Sequence, residues 1–350
     1  MASIRAVINQ EKGNAIVADV GIPKLRDDYF IIKVKAVALN PTDWKHIEFL
    51  AVKGNRIGCD YAGVVEEVGS KVTKPFKKGD RVAGFVHGGN AVHPEDGAFA
   101  EYITAKGDIQ MKIPDNLSFE EASTLGVGIS TVGQVLYQSL GFPLPGEPPV
   151  DKTPLLIYGG STATGSLAIQ YAKLSGVTVI TTCSPRSFDY VKSLGADAIF
   201  DYNSPTVIAD IKTFAHDNLA HVVDCISQDD SIKISAGAMR PAGGIFSALL
   251  RIKPELVTSI NPNVKVNCTL AYSIFGESYK MGPTDVPAVP EDFECGKKFW
   301  ELSTDLLESG KIKVHRPAVN KYGAGLDGVL KGLAALKEGQ VSGEKLVFTL

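Results

Sequence analysis

Residues 158–165, YGGSTATG, follow the apolar run Leu155–Tyr158 and precede a stretch with helical spacing. A strand, a tight turn and a helix in that order aim a helix N-terminus at an anion. The G-x-G-x-x-G form of the turn lets the backbone approach a pyrophosphate. Here Gly160 and Gly165 hold the first and third positions, and Thr162 stands at the second. The hydroxyls of Ser161, Thr162 and Thr164 flank Ala163 and can donate to phosphate oxygens, partly replacing the missing close approach. Helix capping by Ser161 or Thr162 is equally sound and compatible with it. After the next apolar run, VTVITTC, no Asp or Glu follows directly to accept hydrogen bonds from the ribose hydroxyls of NAD. Ser184, Pro185, Arg186 and Ser187 stand there instead. A guanidinium flanked by hydroxyls suits a 2′-phosphate, so the loop reads as a site for NADPH, with a surface arginine beside a helix start as the alternative.

The elements that must position these groups follow from the texture of the chain. Its 350 residues, 44% hydrophobic and 21% charged with a net charge of −3, are enough for two globular domains. No basic block or RNA-binding signature is present, so nucleic acid is not an expected partner. No run of 18 apolar residues occurs, so no membrane span is expected. The opening MASIRAVINQEKGN lacks the apolar core of a signal peptide, and a cytoplasmic protein is expected. Five scattered cysteines with no C-x-x-C pair argue against a disulfide framework or a thiolate zinc cluster.

The first third reads as short strands closed by Gly, Pro or Asp: FIIKVKAVALNP, DYAGVVEEVG, GDRVAGF and GAFAEYITA. From about residue 125 strands alternate with amphipathic helices, which predicts a doubly wound parallel sheet. Its six strands are expected at 155–158, 177–182, 198–200, 222–225, 245–249 and 264–270. LGFPLPGEPPVDKTP reads as an exposed connection, and GESYKMGPTDVPAVPED as an insert of low regularity. Helices are expected within 296–312 and 325–340, and a last strand at KLVFTL.

GCDYAGVVEEVGSKVTKPFKKGDRVAGF resembles the barrel signature of the medium-chain dehydrogenase/reductase superfamily. NPTDWKH, GISTVG, YGGSTATG, TCSPRSFD, FDY, SIFGE and VSGEKLVF further resemble fungal trans-acting enoyl reductases, the stand-alone partners of polyketide synthases. The likeness covers essentially the whole chain. It implies an α/β fold, with a GroES-like β-barrel catalytic domain over 1–125 completed by 271–350, and a Rossmann NADPH-binding domain over 126–270. It also implies NADPH-dependent reduction of a carbon–carbon double bond conjugated to a carbonyl. The substrate would be small or carrier-bound, with a polyketide synthase as a possible partner. A quinone or enone oxidoreductase is the alternative enzyme, and a non-catalytic NADPH-binding protein the alternative class.

Carried over residue by residue, the resemblance implies that Pro41, Thr42, Asp43 and Lys45 lie beside the nicotinamide in a cleft between the domains. It places Tyr202 near the adenine, Leu249 and Leu250 at the nicotinamide pocket, and Val341 and Ser342 closing on the cofactor. Thr131, Ile274, Phe275, Gly276 and Glu277 are implied to meet the substrate. Lys45, after the NPTD turn, is the candidate catalytic residue: it could hold the ribose, stabilise an enolate, or relay a proton. No metal is expected. Gly58, Cys59 and Asp60 stand where the zinc enzymes carry Gly-His-Glu, NPTDWKH supplies no cysteine, and His87 and His93 read as loop residues. Because the proline-rich insert after the sixth strand could cover a sheet edge through which many relatives pair, a monomer is favoured over a homodimer.

Overall fold

One long strand, Tyr29–Ala38, organises the β-rich part of the chain. It is buried at eight of ten positions, as expected for a run of Ile, Val and Ala covered on both faces. The computed structural model describes residues 3–148 and 154–350 and divides the chain into two compact units, Met1–Ser130 with Tyr272–Leu350, and Thr131–Ala271.

In the first unit Tyr29–Ala38 pairs antiparallel with Asp60–Val68, with irregularities at Ile31/Ile32 and Val34/Ala36. Tyr102–Lys106 pairs with its opening residues and Lys345–Thr349 with its closing ones. Arg81–Phe85, Gln110–Lys112 and Pro317–Val319 complete a seven-stranded sheet. A separate hairpin, Ser3–Glu11 with Asn14–Gly21, joins through bridges Ala6↔Ala100 and Ile8↔Arg56. Helix Gly325–Lys337 lays Leu326, Val329 and Leu333 into the same core as Phe30, Ile32, Tyr61, Phe99 and Phe348. The 3- and 4-residue steps between those leucines and the valine form one apolar stripe.

Two sequence expectations change here. The NPTD turn is the start of a helix, Pro41–Phe49, with Asn40 as its extended N-cap. Proline at the first helical position loses no intrahelical hydrogen bond, and the Asp43 carboxylate accepts from the Asn40 amide at 2.6 Å. The insert after the sixth strand contains a short hairpin, Tyr279–Met281 with Thr284–Val286. The next helix then opens at Pro290, six residues before the apolar spacing begins, and runs to Glu308. Pro290 fits its first position, and Glu291 and Asp292 meet the positive end of its dipole.

The second unit carries a six-stranded parallel sheet. Its spatial order is Ala198–Asp201, Val179–Cys183, Leu155–Tyr158, His221–Asp224, Gly244–Ala248, Val264–Cys268. The expected strands are present, with ends shifted by one or two residues. Leu156, Ile180, Val222 and Phe246 are fully buried from adjacent strands, packed with Ile211, Ile232 and Ala236 of the helices. The order reverses between the first and fourth strands, Leu155–Tyr158 and His221–Asp224. At such a switch point a crevice opens beyond the carboxyl ends of the strands. Of the proline-rich connection, residues 141–148 form neither helix nor strand, and residues 149–153 lie outside the described residues. Among the described residues no helix is long and apolar enough to cross a membrane.

Candidate functional site

The carboxyl edge of the parallel sheet gathers most of the expected nucleotide residues. A Cβ at Gly160 would lie 2.0 Å from Thr181 Oγ1, and one at Gly165 would lie 2.3 Å from the Gly159 carbonyl oxygen. Both glycines are therefore required by the close packing of helix Ala163–Leu174 on the strands. Thr162 is the N-cap of that helix, and its Oγ1 accepts from the Gly165 amide at 3.0 Å. The amides of Ala163 and Thr164 begin the first turn, where backbone donors have no partner within the helix. The capping reading of Thr162 holds, and it leaves those donors at a helix N-terminus of the kind that binds phosphate.

Ser184 leaves the neighbouring strand extended, and Pro185 opens the single 3₁₀ turn Pro185–Ser187. The Ser187 amide donates to the Ser184 carbonyl at 2.9 Å, which presents Arg186 on the exposed outside of the turn. Tyr202 follows the next strand, 39% exposed, with its ring 6.2 Å from that of Tyr158. Leu249 and Leu250, half-buried, follow Gly244–Ala248.

Sequence reasoning missed what holds Leu249. Its amide donates to the Asp224 carbonyl and to Ser227 Oγ. The buried Asp224 carboxylate accepts from the Ile226 and Ser227 amides at 2.9 Å and from Ser231 Oγ at 2.7 Å. Burial pushes the Asp224 pKa up against the lowering effect of those bonds. Ser227 sits at φ 57°, a left-handed conformation costly for a side chain with a Cβ. The signal was present: an Asp ending a strand, with Ser three residues on, marks a side-chain-stabilised turn. Thr131 is buried in helix Gly126–Val132, which continues as the π-helical turns Gly133–Ser139.

In the first unit, helix Pro41–Phe49 carries Pro41, Thr42, Asp43 and Lys45 together. Asp43 is buried, and burial first, then the nearby Asp60, pushes its pKa up to about 7. Lys45 is half-buried with Nζ 5.6 Å from the Trp44 ring centre, and burial lowers its pKa. Thr42 Oγ1 lies 2.6 Å from the Tyr272 hydroxyl, which lies 3.2 Å from His46 Nε2. His46 Nδ1 lies 2.7 Å from the Gly88 carbonyl. A carbonyl only accepts, so Nδ1 carries the proton and burial keeps the ring neutral. The chain of donors then runs from Thr42 to Tyr272 to His46 to Gly88. It ties the helix to the turn that carries Ile274, Phe275, Gly276 and Glu277.

Ile274 and Phe275 are buried. Gly276 adopts φ 63°, and a Cβ there would approach Phe293 Cβ to 2.8 Å. Glu277 is held by the Tyr29 hydroxyl at 2.8 Å and by Lys106 Nζ at 2.6 Å. Val341 is half-buried and Ser342 exposed just before strand Lys345–Thr349.

The description "Alcohol dehydrogenase GroES-like domain" matches residues 26–115, and "Zinc-binding dehydrogenase" matches residues 163–289. The trans-enoyl reductase ACTTS2 of Alternaria alternata is 48% identical over 351 residues, covering all of both chains. The chain belongs to the trans-enoyl reductase family of the medium-chain dehydrogenase/reductases. The trans-enoyl reductase TOXD of Cochliobolus carbonum is 53% identical over 296 residues, 84% of this chain and 98% of that protein. CurK enoyl reductase shares the fold with a TM-score of 0.75 at 21% identity, over 99% of each chain. The mycobacterial protein Rv1454c, solved in complex with NADPH, shares it with a TM-score of 0.75 at 19% identity, over 99% of this chain and all of that one. This family member is an oxidoreductase on a nicotinamide-cofactor fold.

The zinc in the second family description has a specific counterpart to test in this trans-enoyl reductase. Cys59 is fully buried, and its pKa is pushed well above the usual thiol range by burial, with Asp43 and Asp60 adding to it. Beside it Lys345 Nζ donates to Asp60 Oδ2 at 2.6 Å and to Asn40 Oδ1 at 2.8 Å. Among the described residues no group of three or more His, Cys, Asp or Glu is placed to hold a metal ion.

Proposed function

We propose that this trans-enoyl reductase uses NADPH, without zinc, to reduce the carbon–carbon double bond of an α,β-unsaturated carbonyl, with a carrier-bound polyketide intermediate as substrate. The unit built on the parallel sheet serves as the NADPH-binding domain and the other as the catalytic domain. The observation that carries the cofactor choice is the turn Ser184–Ser187. It offers Arg186 on its exposed side and no carboxylate directly after the strand. The residues fit the group. Ala163 and Thr164 would meet the pyrophosphate with backbone donors, Ser184, Arg186 and Ser187 the 2′-phosphate, and Tyr202 the adenine. Leu249 and Leu250, with Pro41, Thr42, Asp43, Lys45, Val341 and Ser342, would meet the nicotinamide half.

When bound, the reduced nicotinamide supplies a hydride to the β-carbon of the substrate. The chain must then stabilise negative charge on the substrate's carbonyl oxygen and admit a proton at the α-carbon. Lys45 is assigned the first task, with an ammonium made less hydrated by its half-buried position. Thr131, Ile274, Phe275, Gly276 and Glu277 are assigned to the substrate side.

The test is cofactor preference in Arg186→Ala. Losing one charge-assisted contact with the 2′-phosphate costs about 1.5–3 kcal/mol, or roughly 10- to 150-fold in affinity. NADPH affinity, measured by fluorescence titration, is expected to fall by that factor while NADH affinity holds. Equal losses for both cofactors, or a wild-type preference for NADH, would overturn the assignment. Mass spectrometry of the product from a conjugated enoyl thioester should show the gain of two hydrogens, the hydride at the β-carbon and the proton at the α-carbon.

A further inference from the structure

In the parallel sheet, strand His221–Asp224 lies between Leu155–Tyr158 and Gly244–Ala248. The turn that leaves it therefore stands between the glycine turn and Leu249. On one side, a Cβ at Gly159 would lie 3.2 Å from Ile226 Cγ1, and the Cys225 amide donates to the Tyr158 carbonyl at 3.1 Å. On the other, the Ser227 hydroxyl donates to the Asp224 carbonyl at 3.0 Å and accepts from the Leu249 amide at 3.1 Å.

Serine is a strained choice at this turn. At φ 57° a side chain with a Cβ is disfavoured and glycine is not. Glycine has no hydroxyl, however, and both bonds on the Leu249 side end on Ser227 Oγ. The conformation is enforced by Asp224, which is fully buried. Its Oδ1 accepts from the Ile226 and Ser227 amides, and its Oδ2 accepts from Ser231 Oγ, which in turn accepts from the Gln228 amide at 2.9 Å at the start of helix Asp229–Ala238. Among the described residues no cation is paired with Asp224. A buried carboxylate without a counterion is a poor source of stability, and these bonds all serve one strained turn and the helix it enters.

We propose that Asp224 and Ser227 are positioning residues for the nicotinamide half of the cofactor. Asp224 imposes the left-handed turn, and the Ser227 hydroxyl, set by that turn, holds the backbone at Leu249. The inference rests on the NADPH reading of this sheet edge and adds that the adenine half binds independently of the turn. Strand order carries that separation: Arg186 and Tyr202 follow Val179–Cys183 and Ala198–Asp201, on the far side of Leu155–Tyr158 from Asp224.

Two ligands separate the halves: NADPH, and adenosine 2′,5′-bisphosphate, which carries the adenine and the 2′-phosphate but no nicotinamide. Both are titrated by calorimetry against the wild type, Asp224→Ala, Asp224→Asn and Ser227→Gly, with a thermal melt of each protein. Asp224→Ala should weaken NADPH by about 10- to 100-fold, the loss expected for hydrogen bonds to a charged group, and leave the bisphosphate affinity unchanged. Asparagine keeps a carbonyl oxygen for the two amides and an N–H for Ser231 Oγ, so Asp224→Asn should retain most of the NADPH affinity. Ser227→Gly removes the strain together with the hydroxyl. Its melting temperature should hold or rise, while NADPH affinity falls by about 3- to 10-fold and bisphosphate affinity holds. Should Asp224→Ala fail to fold, Ser227→Gly decides alone, because a merely structural role does not weaken nicotinamide binding in a protein that melts no lower. Parallel losses for both ligands, or full NADPH affinity in Ser227→Gly, overturn the positioning role. So does a wild type that binds NADPH no more tightly than the bisphosphate. A wild type that binds the bisphosphate no better than adenosine monophosphate sinks the NADPH reading instead, and the same comparison with NADH and adenosine monophosphate then decides the positioning role.

Discussion

Lys45 has no hydrogen bond or ion pair among the described residues, and burial alone lowers its pKa. An ammonium that faces only the Trp44 ring within its own unit is the one cation of helix Pro41–Phe49 able to meet a charge developing on a substrate. If it stabilises the enolate oxygen, Lys45→Met should lower single-turnover hydride transfer by about 10²- to 10³-fold, the loss typical of one such donor. NADPH affinity should change far less. A parallel loss of NADPH binding would make Lys45 a cofactor anchor, and no change in either would remove it from the site. Side chains of this sort are only half legible in sequence. Position 45 was singled out through the resemblance, whereas the inward burial of Asp43 two residues before it was not. Helical spacing and capping chemistry do not say which acidic side chain will be enclosed. His87 shows the same limit. In HGGNAVHPEDG it reads as a loop residue, and only the packing of Tyr272, Phe275 and Tyr279 from far along the chain encloses its ring.

Asp60 joins four elements. Its Oδ1 accepts from the Val127 amide at 2.6 Å at the start of helix Gly126–Val132. Its Oδ2 accepts from Lys345 at the start of the last strand, and Lys345 in turn holds Asn40, the cap of helix Pro41–Phe49. Both members of the ion pair are almost wholly buried, with side chains 2% and 0% exposed. Removing one partner of such a pair leaves an uncompensated buried charge, worth about 3–5 kcal/mol. Lys345→Met should therefore lower unfolding stability by about that amount in urea titrations. Adding Asp60→Asn, which keeps the acceptor for Val127, should restore a large part of it. A double variant no more stable than Lys345→Met would show that the pair acts through shape and not through charge. The elements themselves were largely readable, because the six Val- and Ile-rich runs with helical spacing between them define strands and helices locally. Their starts were not always so: Pro41 and Pro290 look like breaks in a linear reading, yet each occupies the first position of a helix.

At the scale of the whole chain, alternation of strands and helices implied a parallel sheet. The pairing of Lys345–Thr349 with Tyr29–Ala38 was beyond local patterning, because nothing near either strand encodes a partner at the other end of the sequence. That long-range closure also bears on metal chemistry, since it brings Lys345 to the buried cluster of Asn40 and Asp60, next to Cys59. A zinc ligand must be a thiolate, a neutral imidazole or a carboxylate, and a catalytic site needs about three of them. Here burial and two neighbouring carboxyl groups hold the Cys59 thiol protonated, and an ammonium already neutralises Asp60. Binding a divalent cation would require deprotonating the thiol and displacing Lys345 from two short hydrogen bonds. Purified protein is therefore expected to contain no stoichiometric zinc by elemental analysis, and prolonged chelation should leave turnover with an enoyl thioester unchanged. Cys59→Ser should leave it unchanged as well. One zinc per chain, lost together with activity on chelation and absent from Cys59→Ser, would instead place this reductase among the metal-dependent members of its superfamily.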